Sequence, residues 1–168
     1  MEKSLVLEKI KLARELSPKR NFTQSFDLAI TLKSLNLKKP EENIDVFLAL
    51  PYPRGRQQRI CVFAGKEIAD QAKIFDKVIR QEEFPLYHDK KLVKKLASEY
   101  DVFLAQANLM GQIATIFGKF LGVRGKMPNP KAGAVIPSGL DLQEVKSRML
   151  KQIRLQTKKE LIVKLSHS

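Results

Sequence analysis

The feature that most limits what this chain can fold into is a short run with no polar member, Ile60-Cys-Val-Phe-Ala64. A strand with one face in water alternates apolar and polar residues, so a run that is apolar at every position suits a strand covered on both faces. Such strands belong to parallel sheets lying between layers of helices. The sequence that follows agrees. Ile68, Ala72 and Phe75 recur at helical spacing, Val78-Ile79 suits a short strand, and Leu92, Val93, Leu96, Ala97 and Tyr100 mark a second helix. Residues 101–106 are strand-like again. The order β-α-β-α-β implies parallel pairing and a layered α/β architecture. Met110, Ile113, Ala114, Phe117 and Leu121 predict a third helix, 122–137 a long ordered loop, and Leu142, Val145 and Met149 a last helix.

The two ends of the chain have a different period. Leu5, Val6, Ile10, Leu12, Ala13 and Leu16 share one side of a helix over 2–16, which Ser17-Pro18 stops. Over 25–33, Phe26, Leu28, Ile30 and Leu32 alternate with Asp27, Ala29, Thr31 and Lys33, and over 44–50 Ile44, Val46, Leu48 and Leu50 alternate again. These predict two half-buried antiparallel strands. The tail returns to alternation through Ile153, Leu155 and Thr157, then Leu161, Val163 and Leu165. An α/β middle between half-buried antiparallel ends is the pattern of one domain inserted into another. The expected fold is therefore α/β with two domains: a split α+β domain, an antiparallel sheet with a helix, from 1–58 plus 153–168, and an inserted Rossmann-like parallel α/β domain over 59–152. The two crossings, near 53–59 and 149–152, would form a hinge.

Charge narrows the function. The 168 residues carry 31 Lys+Arg against 18 Asp+Glu, a formal net charge of +13, which favours a polyanionic partner. No apolar run reaches the ~20 residues of a membrane-spanning helix, and the opening Met1-Glu-Lys-Ser-Leu lacks the layout of a signal peptide. An intracellular protein without a membrane partner, monomeric when free, is the expectation. The single cysteine, Cys61, with only His88 and His167 beside it, gives no metal-ligand spacing and no internal disulfide. Cys61 is expected to be a buried small hydrophobe, His88 a surface turn residue and His167 part of a frayed terminus. The adjacent carboxylates Glu41-Glu42 and Glu82-Glu83 lie in polar connections with no partner histidine, so no catalytic set and no cofactor site emerge.

Lys19-Arg-Asn-Phe-Thr-Gln-Ser25 places two bases, an aromatic and small hydrogen-bonding side chains at a strand entry. The set suits RNA: the bases neutralise phosphate, hydroxyl and amide groups reach the 2′-OH, and the ring packs on a sugar or base. A solvated turn with Phe22 in the core explains the pattern equally well. Arg54, Arg56 and Arg59 flank Gly55 in a segment that is either a phosphate-binding cluster or a solvated basic loop. Lys90, Lys91, Lys94 and Lys95 fit the wet face of their helix and receive no site. Gly118-Lys-Phe-Leu-Gly-Val-Arg-Gly125 has glycines, but their spacing matches neither the P-loop nor the dinucleotide fingerprint, and they follow a helix instead of a strand. A nucleotide-using enzyme is thereby disfavoured, and a general double-stranded DNA binder rests on charge alone.

Taken together, Lys19-Arg-Asn-Phe-Thr-Gln-Ser25, Asp101-Val-Phe-Leu-Ala-Gln-Ala107 and Gly122-Val-Arg-Gly-Lys-Met-Pro-Asn-Pro130 resemble the L-one family of large-subunit ribosomal proteins in its archaeal form, in order and over essentially the whole chain. The resemblance implies a cytoplasmic, ribosome-bound protein without enzymatic activity. It would sit on a mobile stalk of the large subunit and bind large-subunit rRNA through its terminal segments. It would assist release of exit-site tRNA, and it could repress translation by binding its own mRNA. It places the RNA-contacting strand entry on Phe22, Thr23 and Ser25 with Lys19 and Arg20 beside them, and a signature loop on Arg124, Gly125, Lys126 and Met127. Lys19, Arg20, Phe22, Thr23, Ser25, Arg54, Arg56, Arg124 and Lys126 make the candidate RNA-binding set. Members of that family continue past the strand matching 161–165 with helices and a strand bearing a Thr-Met-Gly-Pro segment. This sequence stops at Ser168, so an open sheet edge and an exposed apolar face are expected.

Overall fold

The structure, a computed structural model, describes residues 3–22, 24, 26–34, 36, 39, 42–52, 57–137, 139–157 and 162–167, with the backbone alone for 26, 27 and 162–167. Its centre is a four-stranded parallel sheet. β3 (Ile60–Ala64) lies between β4 (Lys77–Arg80) and β5 (Val102–Gln106), and β6 (Val135–Ile136) extends the sheet beyond β5. All pairings are parallel.

Every residue of β3 is buried, and the pleat sorts them. Ile60, Val62 and Ala64 point to one face, where Ile68, Ala72 and Phe75 meet Leu142, Val145 and Met149 of α4 (Leu142–Lys151). Cys61 and Phe63 point to the other, against Val93, Leu96 and Ala97 of α2 (Lys90–Glu99) and Ile113, Phe117 and Leu121 of α3 (Met110–Val123). The second face is largely aromatic: Phe63 lies 4.7 Å from Phe117 and 5.9 Å, edge-on, from Phe84. The apolar run is thus a strand with helices on both faces, as its composition requires.

Two expectations for this region change. Residues 71–74 form a single 3₁₀ turn, not an α-helix: the connection from β3 to β4 runs over 65–76, and three helical turns would take about eleven of those residues, leaving almost none to reverse the chain at either end. The loop 122–137 contains β6 and a 3₁₀ turn at Pro130–Ala132. A two-residue strand has no period to detect.

At the chain ends, α1 (Lys3–Leu16) precedes β1 (Phe26–Thr31), which pairs antiparallel with β8 (Ile162–His167). β2 (Asp45–Ala49) pairs antiparallel with β7 (Gln152–Gln156). The first two strands therefore take their partners from the tail and not from each other. His167 is aligned with Phe26 in that ladder, which corrects the expectation of a frayed residue. The apolar faces are also open: Leu28, Ile30, Val46 and Leu48 are 42–55% exposed, and no residue of α1 is buried. On β2 it is the opposite face, through Phe47, that packs on the central core. Among the described residues nothing covers the alternating faces of these ribbons, so alternation there marks a strand without marking an interior.

Candidate RNA-binding surface

Between α1 and β1 the described residues, 17–22 and 24, are all exposed. Lys19 and Arg20 are exposed and have no carboxylate partner among the described residues. Gln24 Nε2 donates to Pro18 O at 3.2 Å, folding the segment back on the end of α1. Phe22 is 64% exposed, which removes the alternative that it is a core residue. Thr23 and Ser25 lie outside the described residues, as do Arg54 and Arg56. Arg59 is described: its guanidinium stands 5.9 Å from the centre of the Tyr100 ring, a cation–π distance.

The loop after α3 is built differently. Gly125 has φ +66°, its N–H donates to Gly122 O and the Lys126 N–H to Leu121 O, both at 2.9 Å. This is the paired closure of a helix that ends through a left-handed residue, which is why glycine stands there. Lys126 then turns inward, and its ammonium donates to Ala97 O at 3.0 Å and Tyr100 O at 2.7 Å, the open carbonyls at the end of α2. Met127 packs on the aromatic core, and Asn129 accepts from the Lys131 N–H at 2.9 Å to start the next turn. Arg124, unlike Lys126, is exposed. Its guanidinium lies on α2, donating to Ser98 Oγ at 3.2 Å and reaching Lys94 O at 3.5 Å.

A third connection ties this loop to the β2–β7 ribbon. Arg154 of β7 holds Asp45 of β2 in a two-pronged pair, 2.7 and 2.8 Å, stands 5.4 Å from the Phe47 ring centre and approaches Gly125 O at 3.4 Å. The guanidinium hydrogen bonds hold the Asp45 carboxyl below the usual carboxylate range, against a smaller opposing push from burial.

The sequence pattern of the ribosomal protein L1p/L10e family matches residues 11–166. The chain belongs to this family. It is similar to the large ribosomal subunit protein uL1 of Methanothermococcus thermolithotrophicus, 39% identical over 160 residues that cover 94% of this chain and 73% of that protein. The corresponding protein of Methanocaldococcus jannaschii is 38% identical, over 94% of this chain and 71% of its own. That of Thermofilum pendens is 40% identical, over 91% and 68%.

For this L1p/L10e family member the fold explains much of the signature loop without a ligand, since Gly125, Lys126, Met127 and Asn129 all serve internal contacts. The motif at 101–107 has an internal role too. Gln106, buried at the end of β5, accepts from the Gly65 N–H at 2.9 Å and donates to Glu67 Oε2 at 3.1 Å. A cleft of about 430 Å³ opens there, at the strand ends where open α/β sheets hold nucleotides. The amide that would face a phosphate is already given to Gln106, and Lys66 is paired with Glu82 at 3.1 Å. Cys61 is fully buried, and burial pushes its thiol up, away from nucleophile chemistry. Among the described residues no cluster could hold a metal ion, and no helix is long and apolar enough to cross a membrane. Sequence reasoning missed Arg154 and Gln106. Gln106 is the one polar residue at the end of an apolar strand, whereas Arg154 sits in the polar set of an alternating strand, Gln152-Ile-Arg-Leu-Gln156.

Proposed function

We propose that this protein is an RNA-binding constituent of the large ribosomal subunit that binds large-subunit rRNA at the mobile stalk through its terminal segments. The carrying observation is the solvent-facing set Lys19, Arg20 and Phe22, which leaves two cations and a ring available at a strand entry. Phosphate contacts from the bases would fix position, while ring packing and the hydroxyls of Thr23 and Ser25 would demand one RNA shape. Arg54, Arg56 and Arg124 would add phosphate contacts, whereas Lys126 would contribute only through the loop it holds. Help with exit-site tRNA release and binding of its own mRNA belong to the same reading. They are what the resemblance to the family implies. The same reading divides the chain into 1–58 plus 153–168 and an insert over 59–152, whose two crossings would let one part swing against the other.

The test compares a stalk rRNA transcript with an unrelated RNA duplex and a DNA duplex. Lys19→Gln with Arg20→Gln should weaken both RNAs alike. Thr23→Val, Ser25→Ala and Phe22→Ala should lower the stalk-to-duplex ratio, by roughly 1–3 kcal/mol for each buried bond lost. Wild-type protein that binds all three nucleic acids equally would overturn the stalk reading.

A further inference from the structure

Lys91, Lys94, Lys95 and Ser98 stand on one stripe of α2, since residues three and four apart stack along a helix. All four are exposed, and among the described residues none of the three ammonium groups meets a carboxylate. The opposite stripe, Val93, Leu96 and Ala97, is buried in the aromatic core and fixes which way the lysines face. Arg124 arrives from the loop after α3 and binds Ser98 Oγ and the Lys94 carbonyl, so its guanidinium extends the stripe by one helical turn. The result is a row of cations spaced by about one turn, roughly 5 Å.

Local stability does not explain this row. Cations in a first turn oppose the helix dipole, and α2 has Lys90 and Lys91 there with no acidic residue. The lysine pairs 90/94, 91/95 and 91/94 repel at helical contact spacing. Asp89 is committed to capping, accepting from the Lys91 N–H at 2.8 Å. A pattern that works against its own helix points to something outside it that the charges meet. No residue of the stripe is apolar or aromatic, and the exposed apolar side chains beside it, Leu92 and Val123, are two separate aliphatics without the aromatic cluster that centres a protein interface; a chain of net charge +13 in a ribosomal protein family has RNA as its nearest polyanion.

We propose that the lysine stripe of α2, extended by Arg124, docks the phosphate backbone of an RNA segment separate from the one met by the terminal segments. The inference rests on the RNA-binding reading above and adds a second surface to it. Contacts of this kind carry no base information, so the surface would add affinity and leave sequence preference unchanged.

The experiment titrates the full chain with the stalk rRNA transcript and with the unrelated RNA duplex from 50 to 200 mM salt. The proteins are the wild type, the triple change Lys91→Gln, Lys94→Gln and Lys95→Gln, the same three positions changed to Arg, and Arg124→Gln. The Gln triple should lower the salt slope by about 2, which shrinks the loss of affinity over that range roughly fifteen-fold. Arg124→Gln should lower the slope by about 1, and the Arg triple should keep it. Melting temperature should stay level or rise in the Gln triple, because repulsion is removed. A wild-type slope in the Gln triple would overturn the second surface while leaving RNA binding intact. Failure of the wild type to bind either RNA would overturn the RNA-binding reading itself. A Gln triple that melts lower and regains its slope when refolded at lower temperature would make the lysines structural and also refute the proposal.

Discussion

Lys126 belongs to the basic loop that resembles an RNA contact, yet its ammonium is spent on Ala97 O and Tyr100 O. Lys126→Met keeps most of the stem and removes the charge. Hydrogen bonds to a charged donor contribute about 1.5–3 kcal/mol each, and a cation at a helix C-terminus adds about 0.3–1 kcal/mol. These terms overlap, and α2 can admit water at its end, so the expected loss is about 2–4 kcal/mol. For a chain of this size that corresponds to a fall in melting temperature of roughly 4–15 °C. The assay is thermal unfolding followed by circular dichroism, beside RNA titration well below the transition. Affinity and salt slope should stay within a factor of two of wild type. An unchanged melting temperature together with a slope lowered by about 1 would show the ammonium on phosphate instead, and the capping role would be refuted.

Two further outcomes follow from the same geometry. Arg154→Gln should cost about 1 kcal/mol near neutral pH, the upper range for a two-pronged pair that is still partly solvated. Asp45 has a folded-state pKa below its unfolded value of about 3.9, so the wild-type advantage should be full above that value and fade as pH falls through the lower one. Denaturant midpoints from pH 7 to pH 2.5 measure this, and a gap that persists undiminished at the acid end would sink the assignment. Gly133 has φ +66°, and a Cβ there would stand 2.8 Å from Arg148 Nη2. Gly133→Ala should therefore destabilise by about 1–2 kcal/mol, and an equal or higher melting temperature would contradict it.

What the sequence determined by itself was the middle of the molecule and the family. The unbroken run at 60–64 can be satisfied only by cover on both faces, because any water-facing position would expose a large apolar side chain. From that follow the parallel sheet, the helices at Leu92–Ala97 and Met110–Leu121, and the last helix at Leu142–Met149. What only the tertiary structure decided depends on partners distant in sequence. Alternation marks β1 and β2 as strands but says nothing of whom they pair with, and the tail, over a hundred residues on, supplies both partners. Nor does alternation say which face is covered, and Phe47, off the expected face, is the residue that packs inward. A basic residue has the same letter whether its charge meets solvent or a carbonyl. Arg124 and Lys126 are two positions apart, and it is the end of α2, folded against the loop, that turns one outward and consumes the other.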